Sequence, residues 1–447
     1  MIKDMTKGSP SRILFFFALP MIIGNIFQQL YNIIDSIIVG RYVGAEALAA
    51  VGGTYPLAFV CITIANGASI GCSVIIAQYF GGKEYGKMKR AIYTAIISIT
   101  VISSVILLFG VIFCKEIVIL MNTPNNILED SYKYLLIYFL GVIFLFQYNI
   151  ATSAFNALGN SKTPLLFLLL SSLINVILDL LFVVRYNMGV TGAAVATLIS
   201  QGIAAFASLI YLLFKIKKIK CEVIEKKSIF DFKILKSMGK IAIPSILQQS
   251  IVSIGNLFVQ GLVNSYGAIV MAGYSAATKI DSITILPMAN MSNAVSTFTA
   301  QNIGGDKLHR IKKGYKVALV MIGVFCAIAA IILFFKGDNI MCLFVNKSGN
   351  KDVIDIGHNY LRVVSLFYFF MGLMVITNGI LRGAGDMKVF LGSTCTNLGT
   401  RILIAYALSY FIGVRSVWWA VPCGWILAST VSVTRYISGK WKTKKII

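Results

Sequence analysis

AQYFGGKEYGKMKR at residues 77–90 and AQNIGGDKLHRIKK at residues 300–313 are two copies of one pattern, 223 residues apart. They share Ala-Gln, Gly-Gly and a trailing basic cluster. Working outward, ALP at 18–20 matches AIP at 242–244, and Asn32 matches Asn256. Downstream, FNALGNSK (155–162) parallels LRGAGDMK (381–388), and GVTGAAVA (189–196) parallels GVRSVWWA (413–420). Four matched blocks in one order and at nearly one offset predict a chain duplicated end to end.

Composition says what is duplicated. The chain has 447 residues, 57% hydrophobic and 13% charged, with a mean hydropathy of +0.82. A soluble domain carries about 25% charged residues, so this chain cannot cover a water-facing surface. Apolar stretches of ~20 residues recur throughout, each long enough to cross ~30 Å of hydrocarbon as a helix. None alternates as barrel strands do, which leaves helices to satisfy backbone groups in lipid. The run from Ile13 to about Val39 is too long for a signal core and lacks a small-residue cleavage site. It is read as the first span.

Twelve spans are expected, near 13–39, 48–78, 91–114, 132–157, 164–185, 191–214, 237–262, 269–300, 315–335, 357–381, 389–412 and 416–437. The predicted fold is all-α and integral to the membrane: an N-lobe over 1–214, a polar, Lys-rich linker over 215–236 and a C-lobe over 237–447. Six spans per half return the chain to its starting side, so the two lobes are parallel repeats. Alternate connections collect 29 of the 40 lysines and arginines on one side and nine on the other; Lys279 and Arg401 fall within spans. The positive-inside rule makes the richer side cytoplasmic, both termini included. The net charge of +23 is therefore a topology signal and an attraction to anionic lipid headgroups, not a nucleic-acid footprint.

Other chemistries find little support. Gly81 to Lys87 fits G-x-x-x-x-G-K, but Met88 stands where a phosphate loop needs Ser or Thr, and a membrane helix precedes it in place of a strand. The eight cysteines form no C-x-x-C, and the two histidines, His309 and His358, are not paired at helical spacing. No constellation supports catalysis, so no enzyme, resident cofactor or structural metal is expected. Gly67 and Gly71 form G-x-x-x-G, which reads as close helix packing.

The informative residues are acids inside spans. Asp35 and Asp179 lie deep in the first half and Asp281 in the eighth span. Mid-membrane acids cost ~2.5–3.5 kcal/mol on insertion scales, so they default to function. Gln28, Asn32 and Asp35 share one helix face by spacing, as do Asn175 with Asp179 and Thr197 with Gln201. Three polar stripes in one lobe are expected to converge on one hydrated cavity. Two carboxylates there cannot both ionise cheaply, which suits proton coupling. Carboxylate, amide and hydroxyl oxygens equally suit Na⁺. In the second half, Asn256, Gln260, Asp281 and Arg401 are cavity or substrate candidates. Counted from Lys162 and Lys388, Arg401 stands opposite Asn175, or opposite Asp179 after a one-turn slip. It either pairs with Asp281 or backbone carbonyls, or it touches substrate. Pro20 and Pro244 each remove a helix hydrogen bond and are hinge candidates.

At these residues the chain resembles the multidrug and toxic compound extrusion (MATE) transporters over essentially its whole length. The matching features are ALP followed by QLYNIID (29–35), NVILD (175–179), GVTGAAVAT (189–197), AQNIGG (300–305) and LRGAGD (381–386). The resemblance implies two lobes around a central cleft, alternating access, and export of amphipathic, often cationic, organic compounds against H⁺ or Na⁺ entry. It also implies a cation site at Asp35, Asn175, Asp179 and Thr197. The spans 237–262 and 357–381 contain no Asp or Glu, so the resemblance is to the DinF-like branch, with coupling in the N-lobe alone. A monomer in the cell membrane is expected. The alternative is a lipid-linked oligosaccharide flippase of the same superfamily, which calls for several basic residues to hold a pyrophosphate; only Lys279 and Arg401 qualify.

Overall fold

A computed structural model describes residues 2–219, 229–345 and 351–444. Of the linker read over 215–236, residues 220–228 lie outside the described residues. Among the described residues, fourteen α-helices occur in the order α1 (Pro10–Tyr42), α2 (Ala45–Gly81), α3 (Tyr85–Ile112), α4 (Cys114–Leu120), α5 (Leu128–Ala157), α6 (Lys162–Asp179), α7 (Gly189–Lys217), α8 (Phe232–Asn264), α9 (Ala268–Gly304), α10 (Leu308–Met341), α11 (Lys351–Ser365), α12 (Tyr368–Ala384), α13 (Met387–Ile412) and α14 (Arg415–Ile437). A π-helical turn, Leu180–Arg185, extends α6. Among the described residues there is no strand.

Each of the twelve predicted spans falls on one helix, or on one broken pair. Among the described residues nine helices are long and apolar enough to cross a membrane alone, and α11 with α12, bent by 56°, makes a tenth. Helices α9 and α13 are as long, 37 and 26 residues, but more polar. The polarity of α9 is mostly internal: Asn290, Ser292, Ser296, Thr297 and Thr299 are buried. Hydropathy alone undercounts spans whose polar groups face protein.

The duplication is visible element by element. Helices α1 and α8 are both 33 residues long, and α2 and α9 are both 37. The turns that end α2 and α9 each contain a non-glycine residue in the left-handed region, Lys83 (φ 60°) and Asp306 (φ 53°), again 223 residues apart. The sequence around Gly81 to Lys87 is therefore a helix–turn–helix corner, with Lys87 paired to Glu84 at 2.5 Å.

The chain forms two compact units. One contains residues 1–4 and 19–246, the other residues 5–18 and 247–447. This division differs from the one read at 214 and 237. The first part of α1 belongs with the second unit, and the first part of α8 with the first. The changeovers fall within two residues of Pro20 and Pro244, where a helix has lost a hydrogen bond and turns most cheaply.

In the first unit, α5 packs against α2, α3 and α7. The start of α8 lies directly on α2. A Cβ on Gly71 would sit 2.7 Å from the backbone of Ala242 and of Met238, and one on Gly67 would sit 2.8 Å from Ile246 N. The G-x-x-x-G thus serves close backbone approach. In the second unit, α12 packs against α9, α10 and α14. There the segment before α1 is held by side chains: Met5 N–H donates to Gln301 Oε1 at 2.8 Å, and Arg310 donates to Gly8 O at 2.8 Å.

Candidate functional site

An apolar cluster of Ile38, Val39, Ala47, Val183, Val190 and Ala193 ties the end of α1 to the starts of α2 and α7 and to the π-helical turn. Just before it along each chain segment stand the two acids. Asp35 comes from α1. Asp179 is the last residue of α6, where the π-helical turn begins. A π-helical turn widens the backbone and re-aims the side chains beside it. Asp179 is 0% and Asn175 1% exposed, while Asp35 is half-buried.

The two carboxyl groups are close neighbours, each acting electrostatically on the other. Two carboxyl groups so placed repel when both are ionised and can hydrogen-bond when one of them carries a proton. Asn175, one turn before Asp179, completes the arrangement. With its amide oriented to match its neighbours, its nitrogen donates to Asp179 Oδ2 at 3.0 Å and its oxygen accepts from Thr197 N–H at 3.3 Å. The Tyr31 hydroxyl meets the Thr197 side chain, and Tyr134 stands beside both acids. Oδ1 of Asp35 and Oδ1 of Asp179 are buried without a hydrogen-bond partner. Next to this cluster a small cavity is lined by Tyr134, Tyr138, Thr197 and Gln201.

Asp35, Asn175, Asp179 and Thr197 are therefore brought together, with Gln201 on the adjoining cavity. Gln28 and Asn32 are not brought in: both are exposed along α1. Tyr31 and Tyr134 escaped the sequence reading. Tyr31 had a signal, since it stands four residues before Asp35 and so shares its face.

The second unit is arranged differently. Asp281 accepts hydrogen bonds from Tyr368 OH at 2.7 Å and Tyr360 OH at 3.3 Å. Arg401 does not pair with it. Its Nη1 donates to Asn256 Oδ1 at 3.2 Å and its Nη2 to Tyr274 OH at 3.1 Å. Gln260 is engaged with Asn264 at 2.7 Å, one turn along α8. Lys279 is exposed. No group of three or more His, Cys, Asp or Glu side chains that could hold a metal ion occurs among the described residues.

The MatE family model matches the chain twice, over residues 20–181 and 244–407. The chain is 28% identical over 444 residues to the probable multidrug resistance protein YpnP of Bacillus subtilis (strain 168), covering 99% of this chain and 98% of that one. It is 25% identical over 418 residues to the multidrug export protein MepA of Staphylococcus haemolyticus (strain JCSC1435), covering 93% and 90%. Its fold matches the crystal structure of MATE in complex with MaL6 with a TM-score of 0.90 over 98% of both chains, at 22% identity.

Proposed function

The chain belongs to the MatE family, and from that premise we propose that it exports amphipathic, often cationic, organic compounds in exchange for protons, with Asp35 and Asp179 as the coupling pair. It is a multi-pass membrane transporter and not an enzyme. The single observation that carries the coupling assignment is the pairing of two carboxyl groups, one fully buried, with an amide donor on one of them.

The donor set favours H⁺ over Na⁺. Once turned to match its neighbours, the Asn175 amide presents its nitrogen, not its oxygen, to Asp179. The Thr197 hydroxyl is engaged by Tyr31. The buried oxygens of the two acids left without partners are the two Oδ1 atoms. They can take up one proton between them, whereas oxygen-ligated cations typically collect about six ligands. In the proton cycle, the pair holds one proton in one state of the lobe and none in the other. Losing it leaves two like charges in contact, and this repulsion is the force that separates α1 from α6. Pro20 supplies the bending point on α1.

The transporter works by alternating access in the cell membrane, as a monomer with both termini in the cytoplasm and its basic connections against anionic headgroups. The flippase reading is the less favoured: a pyrophosphate calls for several basic residues, and its candidates are only two, Lys279 and Arg401. The test is efflux of ethidium from proteoliposomes under a proton gradient or a sodium gradient, imposed one at a time. The proton gradient alone drives efflux on this account. Drive by sodium at constant pH would refute proton coupling.

A further inference from the structure

Corresponding points of the two repeats carry opposite demands for a ligand. Aligning Lys162 with Lys388 sets Asn175 against Arg401 and Tyr134 against Tyr360. In the first unit the orphaned atoms at this place are acceptors, Oδ1 of Asp35 and of Asp179. In the second unit the atom at the matching position is a donor, Nε of Arg401, buried without a hydrogen-bond partner, and Asn397 Oδ1, one turn earlier on α13, is an unpartnered acceptor.

The rest of that guanidinium is held by neutral groups, Asn256 Oδ1 and Tyr274 OH. Among the described residues no carboxylate forms an ion pair with Arg401. Asp281, the acid within its electrostatic reach, is taken up by two tyrosine hydroxyls. Asn397, one turn earlier on α13, is turned towards Gly424 of α14. A half-buried guanidinium with no carboxylate bonded to it is costly to keep and can accept an anion partner. The site is also built to stay in place. Tyr274 is 4% exposed, and its ring stacks on Trp418 at 5.8 Å between centroids and 8° between planes. Asn256 is exposed, so the guanidinium edge it touches is reachable from outside the core.

We propose that Arg401, steadied by Asn256 and Tyr274, binds the carboxylate of an organic compound, so that the exported compounds include ones bearing a carboxylate. The planar fork of arginine suits a planar two-oxygen group, and a carboxylate that reaches the edge beside Asn256 meets the Nη N–H groups that Asn256 and Tyr274 leave over. This subsite is independent of proton coupling at Asp35 and Asp179, and its test uses no ion gradient.

The probe is benzoate, titrated calorimetrically into the purified full chain in phosphatidylcholine nanodiscs, which contain no anionic headgroup. Benzoate binds and benzyl alcohol does not. Arg401→Gln weakens benzoate by about tenfold or more, and Arg401→Lys by less, because the ammonium keeps the charge but not the fork. Asn256→Asp is the decisive variant if Arg401→Gln does not fold. It places a carboxylate on Nη1, so it abolishes benzoate binding while raising the melting temperature. Absence of benzoate binding in the wild type, or binding within about twofold of wild type in Asn256→Asp, overturns the assignment.

Discussion

With its amide oriented to match its neighbours, the Asn175 side-chain nitrogen donates to Asp179 Oδ2 across 3.0 Å, one turn apart on α6 and both out of contact with solvent. The amide is thus a fixed donor aimed at one acid of the pair, and its oxygen ties the same group to the backbone of α7 at Thr197. Replacing it by alanine leaves Asp179 Oδ2 without this donor. Asn175→Ala is expected to cost about 1–3 kcal/mol of stability. Thermal melting in detergent reads the loss, and ethidium efflux falls with it. Unchanged melting and unchanged efflux would mean that the amide does not hold the pair.

The close approach of α2 and α8 predicts a sharp contrast between glycines. Gly71→Ala drives a methyl to 2.7 Å of two backbone atoms, which costs about 1–3 kcal/mol as overpacking. Gly239→Ala, on the same α8, meets nothing within 4 Å. It gains up to about 1 kcal/mol of helix propensity. Melting temperatures of the two variants should move in opposite directions from wild type. A shared direction would contradict the packing.

Much of this architecture is legible in the sequence, for an identifiable reason. Long apolar runs and the repeated AQ-x-x-GG corner report directly on span position and on duplication. Which bundle a span joins is not encoded that way. Residues 5–18 and 229–246 are apolar or basic in the same manner as their neighbours, yet they belong to the opposite units. The site divides similarly. Asn175, Asp179 and Thr197 were recoverable because +4 spacing and depth in a span coincide. Gln28 and Asn32 satisfy the same spacing rule and are nonetheless exposed, because spacing names a helix face without saying what lies against it. The π-helical turn after Asp179 has no signature in LLFVVR at all.

A buried ion pair anchors the corner between α12 and α13. Arg435 Nε donates to Asp386 Oδ2 at 2.6 Å, and Asp386 is 3% exposed. Removing the cation strands a buried carboxylate, so Arg435→Gln should destabilise the fold by roughly 3 kcal/mol. The double variant Arg435→Gln with Asp386→Asn should recover part of that loss. Melting curves of the two decide it, and a double variant less stable than the single one would contradict the pairing.

Both oxygens of Asp281 are taken by tyrosine hydroxyls, and with coupling proposed at Asp35 and Asp179 a structural part is expected of it. Asp281→Asn should lower expression-corrected transport or melting temperature, and Tyr368→Phe should do the same more mildly. Residual efflux by either variant should keep its dependence on pH. Robust efflux from Asp281→Asn that no longer responds to pH would move the coupling site into the second unit.

The central claim is that one shared proton at Asp35 and Asp179 carries the coupling. One charge crossing 100 mV supplies ~2.3 kcal/mol, which sustains about a 50-fold substrate gradient. Asp35→Asn and Asp179→Asn keep shape and hydrogen-bonding capacity but cannot cycle that proton. The direct measurement is ethidium accumulation in proteoliposomes of wild type and of each variant, reconstituted to equal density, under an imposed inward or outward pH gradient. The account predicts uphill accumulation that reverses with the gradient for the wild type, and for both variants normal insertion with no response to the gradient. Gradient-driven accumulation at the wild-type level in both variants would contradict it.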